Sequence, residues 1–190
     1  PTIMNVAGNW ICATGTFNHN SGTVVFTGNS ASILHSGTGS FYNININPSA
    51  GATKTLLSYI PTTNIYLSSG SFHSSTFYVM LYGNWTNTGG TYAYTSAGRT
   101  YLSDLQIIGL GTHQLTTNGY GFYSVDVGFN AIYDVGTVQL VDNTNIANTL
   151  YIDAGTFDTN GKNLMVGSTL KIYNSGYGRN IYFNGTAGTI

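Results

Sequence analysis

The side chains able to carry acid–base, nucleophilic or metal chemistry are few in this 190-residue chain, and their spacing brings none of them into a recognisable site. All the acids are aspartates: Asp104, Asp126, Asp134, Asp142, Asp153 and Asp158. Cleaving a glycosidic bond takes two carboxylates, or a carboxylate and a base, converging on one surface. Asp126, Asp134 and Asp142 recur at a regular interval, but it falls short of the ~20 residues that would stack them in a coiled repeat. Asp153 and Asp158 flank a turn, where aspartate commonly bonds its own backbone. The histidines (His19, His35, His73 and His113) show no H-x-x-x-H spacing, and Cys12 has no second cysteine to join it at a metal. They are expected to be solvated turn or face residues. Cys12, beside Trp10 and Ile11, reads as a small core residue; a disulfide within the chain is excluded, and one between chains stays open. The chain is therefore expected to have no catalytic residue, no metal site and no cofactor, and not to be an enzyme.

The remaining candidates are recognition residues. Trp10 and Trp85 sit in matching Gly-Asn-Trp phrases. Either ring would suit a sugar face, although a repeated aromatic is more often internal packing. Asn84-Trp85-Thr86 and Asn184-Gly185-Thr186 fit the N-glycosylation pattern, making Asn84 and Asn184 acceptor candidates. Thr-x-Thr occurs at Thr14–Thr16, Thr53–Thr55 and Thr86–Thr88 without a fixed period, which argues against a flat ice-binding face.

What must position these residues is written in the composition. Charged residues make up 6% of the chain, against about 25% in an ordinary soluble domain. Net charge is −1, which offers no electrostatic footprint for nucleic acid or an anionic membrane. There are 27 Thr, 21 Asn, 25 Gly and 15 Tyr instead. Such a surface is polar without charge repulsion, so one barrier to self-association is missing. Glu is absent and Lys rare, while Thr, Tyr, Ile and Val abound, which favours strands over helices. No apolar run reaches the ~20 residues of a membrane-spanning helix. The chain starts at Pro1, which suggests a processed or excised part of a longer secreted polypeptide.

Period-two alternation recurs throughout. In FYNININ (41–47), Tyr42, Ile44 and Ile46 are assigned to one face and the asparagines to the other. In FYSVDVG (122–128), Tyr123, Val125 and Val127 oppose Ser124 and Asp126. Further strands are expected near Asn64, Thr137, Thr149, Lys162, Thr169 and Asn180. Asn-Gly pairs at 118–119, 160–161 and 184–185, and Gly-Asn pairs at 8–9, 28–29 and 83–84, supply the positive φ that tight turns need. With no change in composition along the way, residues 1–190 read as a single β-rich repeat domain.

The best local evidence for architecture is GTFDTNGKNLMVGSTLKIYNSG (155–176). Read as coils, Phe157, Leu164, Val166, Leu170 and Ile172 point inward, while Asn160-Gly161, Gly167-Ser168 and Ser175-Gly176 turn corners. The fold class expected is all-β, a parallel β-solenoid, with an antiparallel sandwich or jelly roll as the alternative. At ~20 residues per turn the chain would make about nine coils and a rod of roughly 45 Å.

The order of GNW, GTF, GTVVFTG and FYNININ over residues 8–47, partly restated at 83–102 and closed by GTFDTNGKNLMVG, resembles the secreted β-strand-repeat, adhesin-like surface proteins of bacteria and archaea. The stretch from Ala50 to Tyr82 departs from that pattern. The resemblance implies an extracellular or cell-surface, structural or adhesive role, and it brings no catalytic residues. The function expected is therefore a self-associating subunit of a filament, stalk or adhesin. Its partners would be copies of itself and, secondarily, surface glycans, with no nucleic acid and no membrane span. Two alternatives accompany it: a carbohydrate-binding or polysaccharide-cleaving solenoid, and a strand-exchanging, pilin-like subunit.

Overall fold

The computed structural model describes residues 2–97, 103–128, 135–173 and 183–184, and among them no helix occurs. The chain winds into about eight turns of a β-solenoid. Coil 1 contains β1 (Ile3–Val6) and β2 (Trp10–Cys12); coil 2 contains β3 (Thr23–Phe26) and β4 (Ala31–His35). Coil 3 contains β5 (Phe41–Ile46), β6 (Thr53–Leu56) and the first half of β7 (Ile60–Leu67). Coil 4 takes the second half of β7, then β8 (Ser71–His73) and β9 (Val79–Leu81). Coil 5 is β10 (Trp85–Asn87), β11 (Thr91–Ala93) and β12 (Leu105–Ile107); coil 6 is β13 (Gly109–Thr116) and β14 (Val125–Val127). Coil 7 is β15 (Val135–Leu140), β16 (Thr144–Ile146) and β17 (Thr149–Ile152). Coil 8 is β18 (Thr156–Asp158), β19 (Leu164–Val166) and β20 (Thr169–Ile172), and β21 (Phe183–Asn184) pairs onward from β18.

Every strand pair among the described residues is parallel, for example Ile3↔Thr23↔Asn43↔Asn64 on the first face. That rules out the antiparallel sandwich and jelly roll, whose hairpins would pair consecutive strands. Asn-Gly pairs at 118–119 and 160–161 do turn the chain, with positive φ at all four residues, but they turn corners rather than hairpins.

Parallel register stacks side chains into columns. One inward column on the third face runs Ile60, Val79, Leu105, Val125, Leu150, Leu170. Its neighbour runs Phe41, Thr62, Leu81, Ile107, Val127, Ile152, Ile172. Thr62 lies in an apolar column and is fully buried, and its hydroxyl donates to the Asn64 carbonyl at 3.0 Å. These columns merge into one buried core, with Trp10, Phe17, Val166 and Leu170 packed at its margins. Burying a Val, Leu, Ile or Phe side chain stabilises by about 1.5–3 kcal/mol; repeating it coil after coil holds the rod together without helices or charge.

Several expectations need correction. Rungs lie 20 or 21 residues apart from Thr23 through Asn43 and Asn64 to Asn84. The spacing then becomes 30 between Asn84 and Gln114, 25 between Thr117 and Asp142, and 19 between Gln139 and Asp158. The longer middle turns lower the number of turns to about eight, where a uniform ~20-residue period would give about nine. The stretch from Ala50 to Tyr82, which departs from the resemblance pattern, lies within the regularly wound part. Trp10 and Trp85 are not equivalent: Trp10 pairs with Ile33 on the second face, Trp85 with Ile65 on the first.

The alternation also breaks where strands cross corners. Phe41 pairs with Thr62 and Asn43 with Asn64, so Tyr42 falls on a corner, turned outward, while Phe41 takes the inward place. Ser124 and Asp126 are buried although they lie opposite the core-facing valines. Ile172 continues the inward column but is 51% exposed in coil 8. Gly167-Ser168 forms the expected corner; Ser175-Gly176 lies outside the described residues.

Candidate assembly surfaces

On the outside of the first face the polar side chains bond one another along the rod axis. Asn43 Nδ2 donates to Thr23 Oγ1 at 3.2 Å, and Asn64 Nδ2 donates to Asn43 Oδ1 at 2.9 Å. The Asn84 N–H then donates to Asn64 Oδ1 at 2.9 Å, and the Gln114 N–H to Asn84 Oδ1 at 2.8 Å. Parallel register places like residues about 4.8 Å apart, within reach of one amide to the next. An amide has both donor and acceptor, so each can serve the coil on either side. A row of like charges at that spacing would repel; a row of asparagines satisfies itself. Asn84, the described glycosylation candidate, spends its Oδ1 in this ladder. For Asn184 only the backbone, paired with Asp158, is described.

Coil 1 is the first of the described coils. Thr23 N–H donates to Thr2 O and Thr27 N–H to Val6 O, so alternate backbone groups of β1 point to β3. Those of Ile3 and Asn5 point the other way, where no described strand pairs with β1. β2 is likewise the last strand of its sheet, with Cys12 O receiving the N–H groups of Ser36 and Gly37. Ile3 (66% exposed), Met4 and Ile11 (70%) stand in solvent at this end. No Asp, Glu, Lys or Arg occurs before Lys54. Edge strands are ordinarily blunted by charge, proline or a bulge; β1 and β2 contain none of these.

Lys54, the first charge, lies inside the rod. It occupies an inward column between Ala31 and Phe72 and is 0% exposed. Its ammonium donates to the Asn29 carbonyl at 2.7 Å and the Ala7 carbonyl at 3.3 Å, tying coil 3 to the ends of strands in coils 2 and 1. Burial lowers its pKa below the ordinary lysine value.

Two of the four histidines are buried rather than solvated. Trp10 Nε1–H donates to His35 Nδ1 at 3.4 Å, which leaves His35 Nε2–H to donate to the Gly39 carbonyl at 3.2 Å. The His113 ring lies between the Gly83 and Gly109 carbonyls, at 3.1 and 2.8 Å, beneath a bulge where β13 slips against β15. His19 stacks on Tyr42 with ring centroids 5.6 Å apart. His73 Nε2 is 3.3 Å from Thr95 Oγ1.

Of the aspartates, Asp126 and Asp153 are buried on adjacent coils, where the Asp153 N–H donates to the Val127 carbonyl at 2.8 Å. Asp126 is on β14 in the third face, Asp142 is in the turn after β15, and Asp134 lies outside the described residues. Asp104, whose place at a joint no sequence motif signals, accepts from Tyr92 Oη (2.8 Å), Tyr123 N–H (3.1 Å) and Ser124 N–H (2.7 Å). Asp142 accepts from Thr117 N–H, Thr117 Oγ1 and Asn118 N–H at 2.6–2.9 Å. Asp158 accepts from Asn160 N–H and Gln139 Nε2. These carboxylates act as backbone caps at joints. Among the described residues no three His, Cys or Asp side chains gather as metal ligands.

Trp85 is 1% exposed, edge-on to Tyr92 and Phe122, so neither ring face is open to a sugar. Trp10 packs partly buried against Phe17, Phe26 and Phe41. An open groove of about 570 Å³ lies instead over β16 and β19, lined by Asn143, Asn145, Asn163 and Met165 among others. No family model, no curated protein and no solved structure matches the chain.

Proposed function

We propose that this chain is a structural, self-associating subunit of an extracellular filament, stalk or adhesin. The observation that carries this reading is the first half of the rod, where no Asp, Glu, Lys or Arg side chain reaches the surface. Through residue 98 Lys54 is the only charged residue, and it is buried. A surface of Asn, Thr, Ser and Tyr carries no net repulsion between copies. The side chains that make the rod cohere are spent on stacking and capping, as structural residues would be. Negative-stain imaging with sedimentation over a range of protein concentration tests the reading. It expects fibres or concentration-dependent oligomers, and monomers throughout would end it.

A second reading, carbohydrate binding, is favoured by one observation: the β16–β19 groove presents exposed Asn143, Asn145 and Asn163 amides beside the Met165 thioether (61% exposed). Neutral hydroxyl-rich ligands suit such a lining. Binding of neutral oligosaccharides on a glycan array, lost in Asn145→Ala/Asn163→Ala with thermal stability kept, would support it. An array without signal would remove it.

A further inference from the structure

Resting on the carbohydrate-binding reading of the β16–β19 groove, we propose that its ligand is a neutral N-acetylated glycan, held by an acetamido group that bridges the side chains of Asn145 and Asn163.

The groove lies where the second face is interrupted. The sheet of that face runs from β2 to β11 in coil 5, and β16 resumes the face in coil 7 with β19 beside it. Coil 6 crosses the gap with the Asn118-Gly119 corner and a single bridge, Phe122 to Ile146. Gly119 lines the groove without a side chain, and nothing lies within 4 Å of the place a Cβ would take. The hollow of about 570 Å³ falls among the volumes usual for ligand sites, roughly 300–1,000 Å³. No described lining residue is ionisable. A neutral ligand therefore enters without desolvating a charge, whereas a charged one would have to leave its own unpaired.

The lining amides are not equivalent. Parallel register sets Asn143 beside Asn163 and Asn145 beside Met165. Asn143 Oδ1 accepts the Asn163 N–H at 2.9 Å, so this carbonyl is already engaged in the winding. The side-chain amides of Asn145 and Asn163 make no hydrogen bond to any described residue, and both residues are exposed. One coil and two positions separate them, a diagonal of roughly 7–8 Å. A trans amide holds its carbonyl and its N–H on opposite sides of one plane. It can accept from one asparagine and donate to the other at the same time. A hydroxyl carries donor and acceptor on a single oxygen and lacks that span. The bridged ligand would repeat the axial amide ladder of the first face, with itself as one rung. The Met165 side chain, next to Asn145 in register, offers the acetyl methyl an apolar contact.

The test is isothermal titration calorimetry of the intact chain with tetra-N-acetylchitotetraose and with cellotetraose. These share one linkage and differ only in an acetamido group in place of a hydroxyl on each ring. A roughly tenfold or greater preference for the acetylated chain is expected. Asn145→Ala and Asn163→Ala should each remove most of that preference with the thermal midpoint unchanged, since neither side chain bonds within the fold. Equal binding of the two tetrasaccharides would overturn the acetamido bridge while leaving the carbohydrate reading standing. A preference that survives both substitutions would overturn the site. Binding of neither would overturn the proposal, and a glycan array without signal would remove the reading with it.

Discussion

The first four coils and the later four are built on the same winding rule but solve its polar problem differently. On the first face of coils 1 to 4 the rungs recur every 20 or 21 residues, and neutral side chains bond one another along the axis. From coil 5 onward the period stretches to 30 and then 25, and all six aspartates occur there. The difference teaches what the charge is for. A regular coil passes each N–H to the carbonyl of the coil beside it. A lengthened coil strands N–H groups at its joints, and a carboxylate, with two oxygens and up to four lone pairs, can collect several of them. Asp104 and Asp142 do this for residues 117–124. Asn87 does the neutral version where the columns first break: it accepts from Gly89 and Gly90 N–H and donates to the Gly90 and Thr117 carbonyls.

The comparison can be broken most forcefully at Trp85, which stands where the two halves meet and packs between Phe72 and Phe122. Trp85→Ala should cost about 3–5 kcal/mol, read by denaturant unfolding. If the halves are independently stable, the unfolding curve should also split into two steps, since stacked repeats couple only to neighbours. Asp104→Ala should cost about 3 kcal/mol, because it strands the buried Ser124 N–H, the half-buried Tyr123 N–H and the Tyr92 hydroxyl. Hydrogen exchange would then show protection lost around residues 105–152 and kept across 23–67; equal loss in both would refute the division.

On the regular side, Asn64→Ala removes one rung of a neutral ladder and should cost only about 1 kcal/mol by chemical denaturation. A cost as large as that of Asp104→Ala would mean that neutral and charged capping are not different in kind. The smallest effect sharpens the single exception, the buried cation of the neutral half. Burial lowers the pKa of Lys54 in the folded chain, so the unfolded chain holds that proton more tightly. Stability should therefore rise with pH between the lowered folded value and ~10.4. Urea unfolding of wild type and Lys54→Met across the alkaline range should show this rise in the first and not in the second, with tyrosine ionisation common to both.

Much of the winding is legible in the order of residues. The alternating stretches near Asn64, Thr137, Thr149 and Thr169 are β7, β15, β17 and β20, and the Asn-Gly corners at 118 and 160 have the positive φ that their residue types favour. Strands of three residues such as β2, β8 and β16 are not legible, because alternation over three positions cannot be told from chance. The corner strand β5 misleads the face assignment of Tyr42, since alternation holds only while a strand stays straight. The repeated phrases mislead the phase: GNW at coils 1 and 5 marks two different faces, because the same turn-and-strand chemistry serves at every corner.

The sequence by itself determined that the chain would be all strand, nearly uncharged and wound at about 20 residues per turn in its regular parts, because strand propensity, alternation and turn chemistry act over a few neighbouring residues. Only the tertiary structure decided which residues stack on which. That choice placed a lysine inside, set two tryptophans on different faces and made aspartates into caps, since each depends on partners 19 to 47 residues away along the chain. Register between coils is a property of the whole winding, and no local stretch of sequence contains it.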